Sequence, residues 1–122
     1  MSTPTDANKK FQKELNSGTA ALVLLSILAR ADEPMYGYRI AKVMEVDGEN
    51  VPMMKQGALY PVLRSLEGSG LLESHVDPSV SGPPRRYYKI TESGLEILKS
   101  WTQIWDQTKS FVDGILRGKT DV

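Results

Sequence analysis

The strongest constraint on this 122-residue chain is a long apolar seam near its C-terminus. Successive seam residues are spaced four, three, four, three, four and three apart, which is typical of a helix packed lengthwise on another helix. About 24 residues at about 1.5 Å each make a seam roughly 36 Å long, more than so small a core covers. We therefore expect a homodimer through this helix and residues 11–22. The seam comprises Gly94, Leu98, Trp101, Trp105, Thr108, Val112 and Ile115, widened by Ile97, Ile104 and Phe111.

The composition suits one soluble domain and leaves little chemistry for catalysis. The chain has no cysteine and a single histidine, His75, which excludes disulfides and thiolate sites and argues against a His-based metal site within one chain. We therefore expect no catalytic residues, no metal and no cofactor. The longest apolar run begins at residue 20 and is far shorter than a membrane span, and the polar start does not resemble a signal peptide. A cytoplasmic protein without membrane contact is expected.

Three helices are predicted within the first 68 residues. Residues 1–8 are expected to be a disordered leader, and an apolar stripe predicts a helix over residues 9–30. Ser17 and Gly18 interrupt this stripe, so either two helices or one kinked helix are expected there. Residues 36–46 and 55–68 also carry helical periodicity and end at glycine-containing turns.

A hairpin and a long final helix complete the predicted architecture. Strand-like segments at 71–76 and 85–90 flank a linker rich in Pro, Gly and Ser. Thr91 is a strong N-cap for a helix that runs to about residue 116. The expected fold is mostly α with a small β-hairpin, a winged helix-turn-helix plus a long C-terminal dimerisation helix. The expected units are the leader 1–8, the winged domain 9–91 and the dimerisation helix 92–118.

The third helix is the candidate recognition helix. Its outer positions carry side chains that can reach bases or phosphates, whereas an ordinary solvated helix would show a similar pattern. Pro61 is unusual because an interior proline opposes the carbonyl four residues earlier, so we expect the helix to begin irregularly ahead of it. The candidate DNA-binding residues on this helix are Lys55, Gln56, Tyr60 and Arg64.

Arg85 and Arg86 make the hairpin a candidate wing. The net charge of the chain is zero, so phosphate binding depends on where the basic residues lie rather than on their sum. A wing after a recognition helix can follow the phosphate backbone or enter the minor groove. The alternative is a solvated turn whose two arginines are incidental.

Three motifs occur in order along the chain: Tyr36-Gly37-Tyr38-x-Ile40, Gly57-Ala58-Leu59-Tyr60-Pro61-x-Leu63-x-x-Leu66-Glu67-x-x-Gly70-Leu71-Leu72 and Arg86-Tyr87-Tyr88-x-Ile90-Thr91-x-x-Gly94. Together they resemble the PadR family of transcriptional regulators, over roughly residue 15 to the C-terminus. The resemblance implies a dimeric repressor that binds a palindromic operator in double-stranded DNA and is often released by a small aromatic or drug-like molecule. It makes Tyr60-Pro61 expected in the recognition helix, and we add Tyr38 to the candidate DNA contacts.

Two interpretations of the tryptophans remain open. Trp101 and Trp105 lie one turn apart on the seam, where they can be core aromatics of a dimer interface. Alternatively, two-fold-related indoles can stack a planar aromatic effector between them. The resemblance implies the second for Trp105, which matches a position lining the central pore of multidrug-binding members. The candidate ligand-binding residues are Trp101, Trp105 and Phe11.

Two other function classes are alternatives to DNA-binding regulation. A winged-helix protein–protein interaction module without DNA readout is the main alternative, since the net charge is zero. An enzyme has little support, because no nucleophile–base pair, phosphate loop or reliable carboxylate pair occurs.

Overall fold

The computed structural model of the protein describes residues 3–47, 56–78 and 82–118, with no account of the side chains of 45–47 and 56–57. Four helices and a three-stranded sheet follow each other in these ranges. The elements are α1 (Pro4–Arg30), β1 (Met35–Tyr36), α2 (Gly37–Asp47), α3 (Gln56–Gly68), β2 (Leu72–Asp77), β3 (Arg85–Ile90) and α4 (Glu92–Leu116).

Helix α1 begins earlier than the periodicity predicted. Thr3 and Asp6 form a capping box, in which each side chain accepts a hydrogen bond from the backbone of the other residue, and Pro4 lies in the first turn. The prediction of a disordered leader is therefore wrong for residues 4–8, because a short polar segment can cap a helix without any apolar stripe. The two-helix alternative is also wrong, since α1 continues through Ser17 and Gly18.

Helix α3 is regular on both sides of its proline. Pro61 lies in the second turn with its ring exposed, and residues 56–60 before it are already helical. The expected irregular start is therefore absent from residues 56–60. A proline at this position forfeits a single hydrogen bond to the carbonyl of Gly57, and solvent accommodates the exposed ring.

The sheet has the order β1-β3-β2 and is antiparallel throughout. Its centre is β3, in which Tyr87 pairs with Tyr36 and His75, and Tyr88 pairs with Met35 and Ser74. Side chains alternate along a strand, so Tyr88 lies on the buried face and Tyr87 on the outer face. The hairpin β2–β3 is called the wing below. Strand β1 was missed because two residues are too short to show alternation.

The core lies where α1, α2 and α3 meet the buried face of the sheet. Apolar side chains one and two helical turns apart on each helix supply it, as the periodicity predicted. The six largest fully buried side chains are Leu24, Leu25, Ile40, Leu59, Leu63 and Leu72.

Helix α4 is joined firmly to the core at its N-terminus. The Thr91 hydroxyl accepts from the Gly94 N–H at 3.0 Å and donates to the Gly70 carbonyl at 2.7 Å, which confirms the predicted N-cap. Gly94 is buried against the Leu71 carbonyl and the Ile90 side chain. No helix in the described ranges combines the length and the apolar character that crossing a membrane requires.

Candidate nucleic-acid interface

The outer side of α3 presents Arg64 to solvent, as predicted for a recognition helix. Tyr60 is only half-buried, and its ring lies against Gly37 at the start of α2. A Cβ atom at Gly37 would stand 2.6 Å from Tyr60 Cε1, so glycine is required for this approach. Tyr60 therefore packs α3 on α2 in addition to any contact with DNA. Lys55 lies outside the described residues, and so does the side chain of Gln56.

One group of aromatic and basic side chains joins the outer face of the sheet to α2. The rings of Tyr36 and Tyr38 stack at 6.4 Å between centroids, and the Arg85 guanidinium lies 4.6 Å from the Tyr36 ring centroid. Lys42 Nζ lies 5.3 Å from the Tyr38 ring centroid. Both cations are within the range of a cation–π interaction. We call Tyr36, Tyr38, Lys42 and Arg85 the outer cluster.

A second group joins α3 to the buried side of the wing. Arg86 Nη1 donates to Ser74 Oγ at 2.9 Å, and Ser74 Oγ donates to Glu67 Oε2 at 2.6 Å. We call Arg64, Glu67, Ser74 and Arg86 the inner cluster. Burial raises the pKa of the nearby Tyr88 hydroxyl; Arg86 and Arg64 oppose this rise in the pKa, whereas Glu67 and Tyr60 add to it.

Arg85 and Arg86 were predicted together, but the structure separates them. Successive residues of a strand point to opposite faces, so Arg85 joins the outer cluster and Arg86 the inner cluster. Arg85 also pairs in register with Asp77, and Lys89 with Glu73. Opposite charges therefore lie across the two strands, and the wing is not a uniformly basic surface.

The seam of α4 divides into two halves. Leu98 and Trp101 pack against the core of their own chain, whereas Trp105 and the residues beyond it are largely exposed. We expected the chain's own core to leave the whole seam uncovered. This expectation is wrong for the first half of the seam, because the sheet and α1 pack against it. The exposed apolar side chains on the second half are Ile104, Trp105, Phe111, Val112, Ile115 and Leu116.

The outer face of α1 continues this exposed surface. Phe11 and Leu15 are exposed, and an open groove of about 1210 Å³ runs along α1 past Leu22 to Tyr36. Trp105 lines the groove, whereas Trp101 and Phe11 do not. Of the three predicted ligand-binding residues, the structure thus places Trp105 in a groove, Phe11 in the open and Trp101 against the core. We call this exposed surface of α1 and of the second half of α4 the exposed apolar face.

A profile of the PadR-like family of transcriptional regulators matches residues 24–100, which span α2, α3, the wing and the start of α4. The chain belongs to this family. The match covers well over half of the sequence and includes the residues of both clusters.

Solved structures of transcriptional regulators share the fold over 82–92% of this chain. A PadR family regulator from Eggerthella lenta is 35% identical, with a TM-score of 0.80 and coverage of 92% of this chain and 94% of its own. A transcriptional regulator from Clostridium thermocellum is 26% identical, with a TM-score of 0.73 and coverage of 82% and 95%. A PadR-like regulator from Bacillus cereus is 28% identical, with a TM-score of 0.67 and coverage of 84% and 96%.

Family membership decides between the function classes. PadR-like proteins are transcriptional regulators, so the chain is a DNA-binding regulator with a winged helix-turn-helix fold, and it is not an enzyme. The sequence-based interpretation missed Lys42, although its spacing of four from Tyr38 on a helix indicates that the two side chains are neighbours. Glu67 was noted only as a motif residue without a role, and Ser74 was missed, since the contact between them depends on how α3 meets the wing.

Proposed function

We propose that this PadR-like regulator is a homodimeric repressor that binds a palindromic operator in double-stranded DNA. The observation that carries the proposal is the row of exposed large apolar side chains on α4, from Ile104 to Leu116. An exposed apolar patch of this extent is typical of an interaction site, and a second α4 offers the matching surface. A two-fold dimer reads half-sites about one helical turn apart, roughly 34–36 Å, and hence a palindrome.

Sequence readout is assigned to α3 and to the start of α2. Arg64 is exposed on the helix that winged proteins place in the major groove, where arginine pairs with guanine or phosphate. Tyr38 is 51% exposed, and its hydroxyl suits a phosphate contact. Lys55 and Gln56 remain predicted readers. A repressor acting on chromosomal DNA is expected in the cytoplasm.

A planar aromatic effector at the dimer interface is proposed as the releasing ligand. Trp105 supports the idea because its indole is 38% exposed and lines the groove along α1. Phe11 is exposed on the same helix as much of the groove lining and is retained as a candidate contact. Trp101 packs against the core, so we expect a smaller part for it in ligand binding.

A gel-shift assay on DNA upstream of the protein's own gene tests the DNA part of the proposal. Wild type is expected to shift this fragment at lower concentration than a scrambled duplex, and Arg64→Ala is expected to weaken the shift. Lys99→Ala removes a cation from the exposed outer side of α4 and serves as the control. Equal binding to the scrambled duplex, or equal loss in both variants, contradicts specific readout by α3.

Planar aromatic dyes test the ligand part. We expect them to quench the tryptophan fluorescence of Trp101→Phe, which retains Trp105, and to release the DNA fragment. The variant Trp105→Phe retains only the core-packed indole and should respond little. Equal quenching in both variants, or quenching without release of DNA, argues against an effector site at Trp105.

A further inference from the structure

The hydrogen-bonded chain through Ser74 connects three separate elements. Glu67 lies in the last turn of α3, Ser74 in β2 and Arg86 in β3. The serine hydroxyl has one proton, which it donates to the Glu67 carboxylate, and its oxygen accepts from the Arg86 guanidinium. Both bonds have a charged partner, and the carboxylate bond is short, as expected of a charge-assisted hydrogen bond.

The position of Ser74 along the wing determines how far from the core the wing is attached to α3. At the base of the wing, the Leu71 N–H donates to the Leu66 carbonyl, and Leu72 is buried in the core. Beyond Ser74, the side chains of His75, Val76 and Asp77 are all exposed. Ser74 therefore makes the outermost hydrogen bond between β2 and α3 among the described residues.

The hydrogen bonds among Glu67, Ser74 and Arg86 also affect the charge on the inner side of the wing. Glu67 follows Arg64 by three residues on α3, where an unengaged carboxylate would repel the DNA phosphates that Arg64 attracts. The bond from Ser74 occupies one carboxylate oxygen, and Arg86 places a positive charge close by. Lys89, on the same strand, is exposed and has no comparable link to α3 among the hydrogen bonds of the described residues.

We propose that Glu67, Ser74 and Arg86 form a brace that holds the wing at a fixed angle to the recognition helix before DNA binds. Arg86 is then a positioning residue, whereas the sequence pattern predicted a direct DNA contact. Without the brace, the wing must be ordered during binding, and the lost conformational freedom weakens affinity. The effect on affinity rests on the proposed operator binding; the brace itself is a property of the free protein.

Backbone NMR relaxation of the free protein tests the brace directly. The variant Ser74→Ala removes the bridging hydroxyl and leaves both charges in place. We expect wing amides in β2 and β3 to fall from order parameters of about 0.85, typical of rigid backbone, toward about 0.6. Lys89→Ala removes a β3 cation outside the brace and should leave these values unchanged. Unchanged wing order in Ser74→Ala overturns the proposal.

Binding to the upstream DNA fragment at several salt concentrations gives a second readout. We expect Ser74→Ala and Arg86→Ala each to weaken DNA binding about threefold to tenfold. The double variant should bind DNA with about the same affinity as whichever single variant binds less tightly. A direct phosphate contact by Arg86 predicts instead that Ser74→Ala is neutral and that only Arg86→Ala lowers the salt slope, by about 0.9 for each subunit and hence about 1.8 for the dimer. That result, or additive losses, overturns the brace. If wild type fails to bind this DNA, the operator proposal fails and the NMR result still decides the brace.

Discussion

Replacing Phe111 with alanine is the sharpest test of the proposed dimerisation through the exposed apolar face. Phe111 is 66% exposed in a single chain, and an aromatic side chain can bury about 150–250 Å², so about 100–165 Å² remains for a partner. At about 25 cal/mol per Å², complete coverage contributes about 2.5–4 kcal/mol in each copy. A two-fold dimer contains two Phe111 side chains. We take half of their summed burial free energy, because coverage is incomplete and alanine retains a methyl group. The expected weakening of the dimer is about 2.5–4 kcal/mol, or roughly a hundredfold or more in the dissociation constant.

Sedimentation velocity over a range of protein concentrations measures this change. Gln103→Ala is the matched control, since Gln103 is exposed on α4 about half a turn away from the seam. Circular dichroism on both variants checks that α4 stays helical, which is expected because Phe111 makes little contact within its own chain. A Phe111→Ala protein that dimerises like wild type, or a Gln103→Ala protein that dissociates equally, would refute the assignment of the seam.

Three further predictions concern contacts inside one chain. Gly37→Ala places a methyl group 2.6 Å from the Tyr60 ring, and we expect about 1 kcal/mol of destabilisation in urea unfolding together with weaker DNA binding, since the half-buried Tyr60 ring must shift away from the start of α2. Thr91→Ala removes the N-cap of α4 and the bond to the Gly70 carbonyl, and should lower the free energy of unfolding by about 1–2 kcal/mol. Burial raises the pKa of the Tyr88 hydroxyl above its ordinary value of 10.0. The folded chain therefore keeps this proton to a higher pH than the unfolded chain does. The stability contributed by the protonated hydroxyl is complete below pH 10.0 and is lost as the pH rises through the folded-state pKa.

Each of these predictions has a control. Gly68→Ala adds the same methyl group where no atom lies within 4 Å, and an equal loss there would contradict the Tyr60 contact. Thr102→Ala removes a hydroxyl that bonds only to the Leu98 carbonyl inside α4 and should be nearly neutral, because alanine favours a helix. Urea midpoints at alkaline pH should fall less steeply for Tyr88→Phe than for wild type; identical slopes would show that another group titrates.

The regular elements were predictable because their signals are local. The apolar periodicity of α3, the Thr91 cap and the alternation of β3 each involve residues within a few positions of one another, and each prediction agrees with the structure. The start of α1 and the short strand β1 were not predictable in this way. The capping box at Thr3 overrides the polar composition of the leader, and β1 consists of two residues that acquire strand structure only by pairing with β3.

The candidate site was predictable as a set of residues and not as an arrangement. The motifs pointed to α3 and the wing, and Arg64 and Tyr38 are exposed as expected. Which contacts the two wing arginines make depends on elements far apart in sequence, namely α3 for Arg86 and β1 for Arg85. The tryptophans show the same limit, because only the packing of α4 on the core distinguishes Trp101 from Trp105.

Sequence patterns were enough to predict the order of the four helices and the two wing strands, the family and a seam too long for one small core. These follow from periodicity, capping and motif spacing, which act between near neighbours in the chain. Tertiary structure alone decided that the seam is half covered, that Arg85 and Arg86 serve opposite faces, and that Ser74 links the wing to α3. The physical reason is that burial and hydrogen bonding between elements depend on the angle at which they pack, and local preferences leave that angle open.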